Sequence, residues 1–279
     1  MSRAIDRADR AAHYDSLFEQ VRDHFRRIYC NAEGDLNPEV RTQTGYLLAL
    51  RNDLLLPERR PAAVAALKQK IIDNGYKLST GFVGSCILNE VLAEFGENDL
   101  AYSLLLQTEN PSWLYSVHQG ATTIWERWNS YTKATGFGDV GMNSFNHYAY
   151  GAVQEWMYRH IAGIETTEQA PGFAHPILQP KPDTRSAEEI PAGQEKITWV
   201  RTSFASPVGL IESAWDMTDG FTYTCRVPVA ATLHLPLIGS AETLVINGVA
   251  HKPDEFRLCP VGKGVTIELA PGAYTFEQK

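Results

Sequence analysis

GATTIWERWNS, residues 120–130, places one carboxylate between two tryptophans, in a segment that begins with a glycine and contains two adjacent threonines. Thr123 and Glu126 have the spacing of a capping box, in which a Thr hydroxyl and a Glu three residues later satisfy backbone donors at the start of a helix. The pattern predicts a helix that begins at about Thr122. A carboxylate between Trp125 and Trp128 is also typical of sugar sites. Glu126 is therefore open to two interpretations, a helix cap or a base that activates water.

Helical periodicity dominates the chain around this segment. Apolar residues recur at i, i+3, i+4 and i+7, with charges on the other face, which indicates amphipathic helices. The predicted helices lie at about 9–29, 43–55, 61–74, 87–96, 98–106, 122–130 and 144–163, about seven in all. The long links NGYKLSTGFVG (74–84) and TENPSWLYSVHQGA (108–121) are rich in Gly, Pro and aromatic residues. Long loops at one end of a helical array are where sites are built.

From about residue 165 the pattern changes to that of short strands. A proline-rich segment, QAPGFAHPILQPKPD (169–183), precedes runs such as GLIESAWD (209–216) and ATLHLPL (231–237), in which polar and apolar residues alternate between turn signals. Such runs predict an antiparallel β-sandwich. The expected organisation is a helical part at 1–164 followed by a sandwich domain at 165–279.

The net charge and the residue composition indicate which classes of partner and compartment to expect. The 279 residues carry a formal net charge of −8, which gives no attraction to phosphate backbones or anionic lipid, so we expect neither nucleic acid nor membrane as a partner. The N-terminus lacks the apolar run of a signal peptide, and the four cysteines form no CxxC pair, which favours a cytoplasmic, reducing compartment. HxxxH and HExxH spacings are absent, and the sequence implies no metal and no cofactor.

Six stretches, all but the last in the helical part, resemble the bacterial α-L-rhamnosidases, inverting glycoside hydrolases with an (α/α)6 barrel. They are TQTGYLLAL (42–50), STGFVG (79–84), DLAYSLLLQ (99–107), PSWLYSVHQGATTIWERWNS (111–130), NSFNHYAYGAVQEWMYRHIAGI (143–164) and PGF (171–173). ASPVGLIESAW (205–215) resembles the segment that opens the family's final domain. The resemblance implies the later part of the barrel, a partial (α/α)6 toroid, followed by the C-terminal β-sandwich domain.

The resemblance also implies roles for single residues. By matching position, Glu126 is the general base that activates water, and His147 lines the sugar site. Trp113 and Trp125 are expected to stack on the apolar face of the sugar, and His118 and Phe82 lie on the same long loops and are candidate ligand contacts. From the residues alone, His147 could equally be a core histidine and the tryptophans could be wedges between helices.

The chain departs from the family in one respect that concerns chemistry. An inverting hydrolase needs a second, protonated carboxyl group on the opposite face of the sugar, and the acidic stretch that carries this group in the family has no counterpart here. We expect a C-terminal fragment that acts on rhamnose-containing glycosides only with its missing N-terminal half, or that forms a homo-oligomer. The alternatives are a non-catalytic carbohydrate-binding protein and an (α/α)6 glycosidase for another sugar.

Overall fold

The structure is a computed structural model that describes residues 2–260 and 262–279. It divides into two compact units, Met1–Gly151 and Ala152–Lys279. None of the helices in the described part of the chain is long and apolar enough to cross a lipid bilayer.

The first unit is a partial (α/α)6 toroid. Thr42 caps α2 by accepting a hydrogen bond from the amide of Gly45 at 2.9 Å, and a proline occupies the first turn of α3, where its missing N–H costs nothing. Helix α2 packs against α3, α4 and α5, and α5 packs against α6. The helices are α1 Ala8–Tyr29, α2 Gln43–Arg51, α3 Arg60–Asp73, α4 Phe82–Ser85, α5 Leu88–Glu94, α6 Asn98–Leu105 and α7 Trp113–His118.

Helix α1 differs from the other long helices because its apolar side is not covered. Ala11 is its one buried residue. Arg26 anchors the helix by donating hydrogen bonds to the backbone oxygens of Leu54 and Leu55, at 2.8 and 3.0 Å. Six large apolar residues on this helix remain exposed, and we call them the α1 stripe: Tyr14, Leu17, Phe18, Val21, Ile28 and Tyr29.

Two of the predicted helices differ from the structure. Residues 121–130 contain no helix, so the helix expected from Thr122 is wrong. The helix expected from Ser144 begins only with a 3-10 turn at Ala149–Ala152 and continues as α8, Val153–Trp156, and a π-helix at Met157–Ile161. The long link after residue 131 forms a small hairpin from β1 Tyr131–Thr132 and β2 Gly136–Phe137.

The second unit is a β-sandwich that follows α8 and the π-helix. Its six-stranded sheet has the order β10-β9-β13-β7-β6-β5 and its five-stranded sheet the order β11-β12-β8-β4-β3. All pairs are antiparallel except β4 with β8, which is parallel. The strands are β3 Ile164–Glu165, β4 Ile177–Leu178, β5 Trp199–Ser206, β6 Gly209–Asp216, β7 Thr222–Val227, β8 Ala231–Pro236, β9 Leu244–Ile246, β10 Val249–His251, β11 Arg257–Leu258, β12 Gly264–Leu269 and β13 Gly272–Gln278.

Alternating side chains form the core of this unit. In β8 every second residue is buried, and Leu233 and Leu235 are fully inaccessible, as the predicted period of two requires. Two hydrogen bonds tie the end of the π-helix to the six-stranded sheet. Trp215 donates through Nε1 to the backbone oxygen of Ile161 at 2.8 Å, and Ser213 donates through Oγ to that of Ala162 at 2.6 Å.

Candidate active site

Glu126 does not cap a helix. Its carboxylate atom Oε2 accepts a hydrogen bond from the backbone N–H of Ser144 at 2.7 Å, and the hydroxyl of Thr123 donates to the backbone oxygen of Phe145. The two side chains thus find partners 18 and 22 residues away rather than three. The capping interpretation is wrong because these distant backbone groups satisfy the Thr and Glu side chains.

Two backbone hydrogen bonds join the segment of Glu126 to the segment of His147. The amide of Glu126 donates to the oxygen of Ser144, and the amide of His147 donates to the oxygen of Ile124, both at 2.9 Å. Together with the bond to Oε2, they fix the backbone and one carboxylate oxygen of Glu126. The side chain remains partly exposed, and among the described residues Oε1 accepts no hydrogen bond. Oε1 is therefore the atom that can receive a proton from a ligand or water.

The ring of His147 is oriented by its neighbours. Its Nδ1 accepts a hydrogen bond from the backbone N–H of Ala149 at 3.3 Å, so Nδ1 carries no proton and the neutral ring carries its proton on Nε2. Phe82, the first residue of α4, stacks on the imidazole with ring centroids 4.5 Å apart and an interplanar angle of 17°. The arrangement leaves Nε2–H as a donor for a hydroxyl oxygen, and Phe82 acts by supporting the ring.

Trp113 and Trp125 are both buried and line one side of a cavity of about 340 Å³. Trp113 donates through Nε1 to the backbone oxygen of Tyr150 at 2.8 Å, and Trp125 packs edge-on against Phe145 at 5.4 Å. The cavity wall is largely apolar and includes residues 121–125, directly before Glu126. The two indoles therefore shape the wall of a recess whose described lining residues include neither Glu126 nor His147.

The segment expected as a loop around Trp113 contains a short helix. Ser112 caps α7 by accepting a hydrogen bond from the amide of Tyr115 at 3.1 Å. His118 is the last residue of α7 and is exposed. No hydrogen bond or ring contact among the described residues joins His118 to Glu126 or His147, so the structure does not bring it into the same cluster.

Two residues that the sequence analysis did not single out belong to this cluster. Ser144 holds Glu126 through its backbone, a role that leaves no signature in the side chain. Tyr150 stacks on Trp128 with centroids 3.7 Å apart. Burial raises the pKa of Tyr150, with smaller increases from Cys86 and Glu126 and an opposing effect of Arg127. The charge of Glu126 thus affects the pKa of a residue that lines the cavity. The sequence motif NHYAYG, which contains Tyr150, could have pointed to this residue.

Comparison with known proteins shows the class of protein to which the helical unit belongs. Residues 1–161 match the family model described as the bacterial alpha-L-rhamnosidase 6 hairpin glycosidase domain. The helical unit with its carboxylate and histidine is thus of the six-hairpin glycosidase class. Residues 163–249 match the bacterial alpha-L-rhamnosidase C-terminal domain. The chain belongs to the bacterial α-L-rhamnosidase family, as its motifs predicted.

Individual relatives agree with this assignment. An alpha-L-rhamnosidase of Formosa agariphila is 37% identical over 279 residues, 99% of this chain and 29% of the relative. The crystal structure of Streptomyces avermitilis alpha-L-rhamnosidase complexed with L-rhamnose superposes with a TM-score of 0.81 and 33% identity, covering 96% of this chain and 24% of that one. The enzyme of Dictyoglumus thermophilum gives a TM-score of 0.82 at 26% identity, over 100% and 30% of the two chains. The chain thus spans less than a third of the length of these relatives.

Proposed function

We propose that this chain is the C-terminal part of an enzyme that hydrolyses terminal α-L-rhamnose from glycosides with inversion, and that Glu126 is its general base. The observation that carries the proposal is the setting of the Glu126 carboxylate. One oxygen is held by the amide of Ser144, and the other is available beside the segment of His147. Family membership supports the choice of sugar, and one relative was solved with L-rhamnose bound.

The chemistry assigns each group a separate task. In an inverting hydrolase a carboxylate removes a proton from water on one face of the sugar, while a protonated carboxyl group about 6.5–9.5 Å away protonates the leaving oxygen. Oε1 of Glu126 accepts the proton of the water, and the hydrogen bond at Oε2 holds the carboxylate in one orientation. The Nε2–H group of His147 donates to a sugar hydroxyl. The chain offers no match to the family's acidic stretch, so we assign the general acid to a preceding segment.

The helical unit has an uncovered apolar surface that could bind a partner. The α1 stripe is the side of α1 that no described helix covers, and the relatives are more than three times as long as this chain. We propose that a missing N-terminal half, made of amphipathic helices, binds the stripe and completes the ring, and that a second copy of the chain binds there in its absence. The boundary at residues 164 and 165 and the cytoplasmic location remain predictions.

The test is an assay with an aryl α-L-rhamnoside. The 279-residue chain is compared with a chimera in which it replaces the corresponding part of the Streptomyces avermitilis relative. We expect the chimera to be active, to release β-L-rhamnose as the first anomer seen by proton NMR, and to lose about 10²- to 10⁴-fold in kcat with Glu126→Gln. The chain alone should be inactive because it lacks the acid.

The matched control is Glu58→Gln, which removes an exposed carboxylate elsewhere in the helical unit and should leave kcat unchanged. If Glu126→Gln in the chimera hydrolyses the substrate as fast as the unsubstituted protein, Glu126 is not the base. Binding of L-rhamnose without turnover would favour the non-catalytic carbohydrate-binding protein. Faster hydrolysis of another aryl glycoside would favour a different sugar.

A further inference from the structure

The outward face of the six-stranded sheet carries an ordered set of side chains that the proposed hydrolysis does not use. Trp199 on β5 lies opposite Asp216 on β6, which in turn lies opposite Thr222 on β7. In the next row of the same face, Arg201 lies opposite Ala214, which lies opposite Thr224. All belong to strands of the second unit, so their spacing is set by the sheet register itself.

Side-chain size turns this face into a trough. Asp216 and Ala214 lie in the middle of the two rows and the small residues Thr222 and Thr224 lie on β7, whereas the larger Trp199 and Arg201 stand on β5 at one side. Two hollows of about 490 and 320 Å³ lie over the rows, and Arg201, Ala214 and Thr224 line both of them. The hollows therefore adjoin, and the second extends to Thr275 on β13, which lies opposite Thr224.

Two polar groups of the trough are available to a ligand, whereas Arg226 and Glu212, which line the second hollow, bond to each other at 2.8 Å. Among the described residues Arg201 forms neither a hydrogen bond nor an ion pair through its guanidinium group. Asp216 accepts a hydrogen bond from the amide of Thr218 through Oδ1 at 2.8 Å. The hydrogen bonds from Thr218, and to a smaller extent the charge of Arg201, lower the pKa of Asp216, so that it is ionised at neutral pH. The trough thus has a cationic donor, Arg201, and an anionic acceptor, Asp216, beside the indole ring of Trp199.

Trp199 is the remaining component. It is 61% exposed and occupies an outward position on β5, the edge strand of the six-stranded sheet. An indole that stays in water at the edge of a polar trough offers a flat apolar surface with hydrogen-bonding groups around it. A pyranose ring is complementary to this combination, because its C–H face is apolar and its hydroxyls are both donors and acceptors.

We propose that this trough is a saccharide-binding site, separate from the site of Glu126, which holds a polysaccharide chain with one sugar stacked on Trp199. Arg201 donates to ring or hydroxyl oxygens, Asp216 accepts from a hydroxyl, and the polysaccharide continues over Ala214 and Thr224 toward Thr275. A protein partner fits less well because the centre of the trough has no large apolar anchor. Nucleic acid fits less well because Asp216 would face its phosphates.

Affinity gel electrophoresis of the whole 279-residue chain tests the proposal. Native gels contain rhamnan, a neutral polymer of rhamnose, or polygalacturonate, a polymer with a carboxylate on each sugar. We expect retardation in at least one gel, and the difference between the gels tells whether Arg201 selects carboxylates. Trp199→Ala should weaken binding about tenfold or more. Ala214→Arg, which fills the middle of the trough, should do the same.

Leu258→Ala is the matched control, since Leu258 is an exposed apolar residue on the five-stranded sheet, and it should leave the mobility shift unchanged. Without any substitution, the bound polysaccharide should protect Trp199 from oxidation by N-bromosuccinimide, as read by peptide mass spectrometry. The proposal is overturned if neither gel retards the chain, if retardation survives both trough substitutions, or if Trp199 is oxidised equally with and without polysaccharide.

Discussion

Charged substitutions in the α1 stripe should convert a self-associating chain into a monomer. The six side chains of the stripe are 39–53% exposed. Full burial of a large apolar side chain contributes about 1.5–3 kcal/mol, so covering the exposed half of each contributes about 1 kcal/mol. Two stripes face to face therefore gain about 12 kcal/mol, against an association cost of about 6 kcal/mol. The net gain of about 6 kcal/mol corresponds to a dissociation constant on the order of 10 to 100 µM for the dimer.

Sedimentation velocity over a range of concentrations from a few µM to a few hundred µM measures this association. We expect the unsubstituted chain to shift from monomer to dimer or larger species within that range, and Leu17→Glu with Val21→Glu to remain monomeric. Leu258→Glu is the control, because Leu258 is more exposed than any residue of the stripe but lies on the other unit. A monodisperse, unsubstituted monomer at the highest concentration would refute the reasoning that the stripe is an interface.

Gly163→Ala should lower the free energy of unfolding far more than Gly193→Ala in urea titrations, since both have positive φ, 73° and 80°, but only at Gly163 would a Cβ lie 2.1 Å from the backbone of Gln179. Gly193→Ala should cost about 1–2 kcal/mol, and equal costs would contradict the clash. Trp113→Phe should cost about 2–3 kcal/mol in the same titration, because it leaves a buried carbonyl without its donor; a neutral result would mean that this bond is not formed. Burial raises the pKa of the Cys225 thiol from its usual value of 9.0 to about 12. The folded chain should therefore resist iodoacetamide at Cys225 at pH 8, and its stability should fall as the pH rises above about 9, where only the unfolded chain loses this proton. If mass spectrometry shows that Cys225 is labelled as fast in the folded as in the unfolded chain, the thiol is not protected by burial.

Periodicity predicted the elements that are long and amphipathic. Helices α1, α3 and α6 and the strands of the sandwich core lie where the patterns placed them, because their apolar residues repeat over several turns or strand positions. The strands β3 and β4 were missed because two residues are too few to show a period. Their backbone pairing within the five-stranded sheet, parallel for β4, is set by the fold and not by local sequence.

The candidate site shows the opposite situation, in which a correct local rule gave a wrong structure. Thr123 and Glu126 have the spacing of a capping box, but their side chains bond to Phe145 and Ser144. A single sequence does not show which distant backbone groups will compete for a carboxylate. Helix α7, in contrast, was open to prediction, because Ser112 precedes an apolar run and caps it in the structure. Glu126 and His147 were identified as site residues by the resemblance to the family and not by the local sequence pattern.

The hydrogen bonds between the segments of Glu126 and His147 close the intervening chain into a loop that is anchored at both of its ends. Residues 127–143 leave and return at fixed points, and the side chain of Asn143, which donates to the backbone oxygen of Ser130 at 3.0 Å, adds a second tether near the base of the loop. We therefore expect insertions or substitutions at the tip of this loop to change the surroundings of Glu126 without shifting its carboxylate. We expect segments grafted here from relatives to change the preference of the proposed enzyme for the group attached to the sugar.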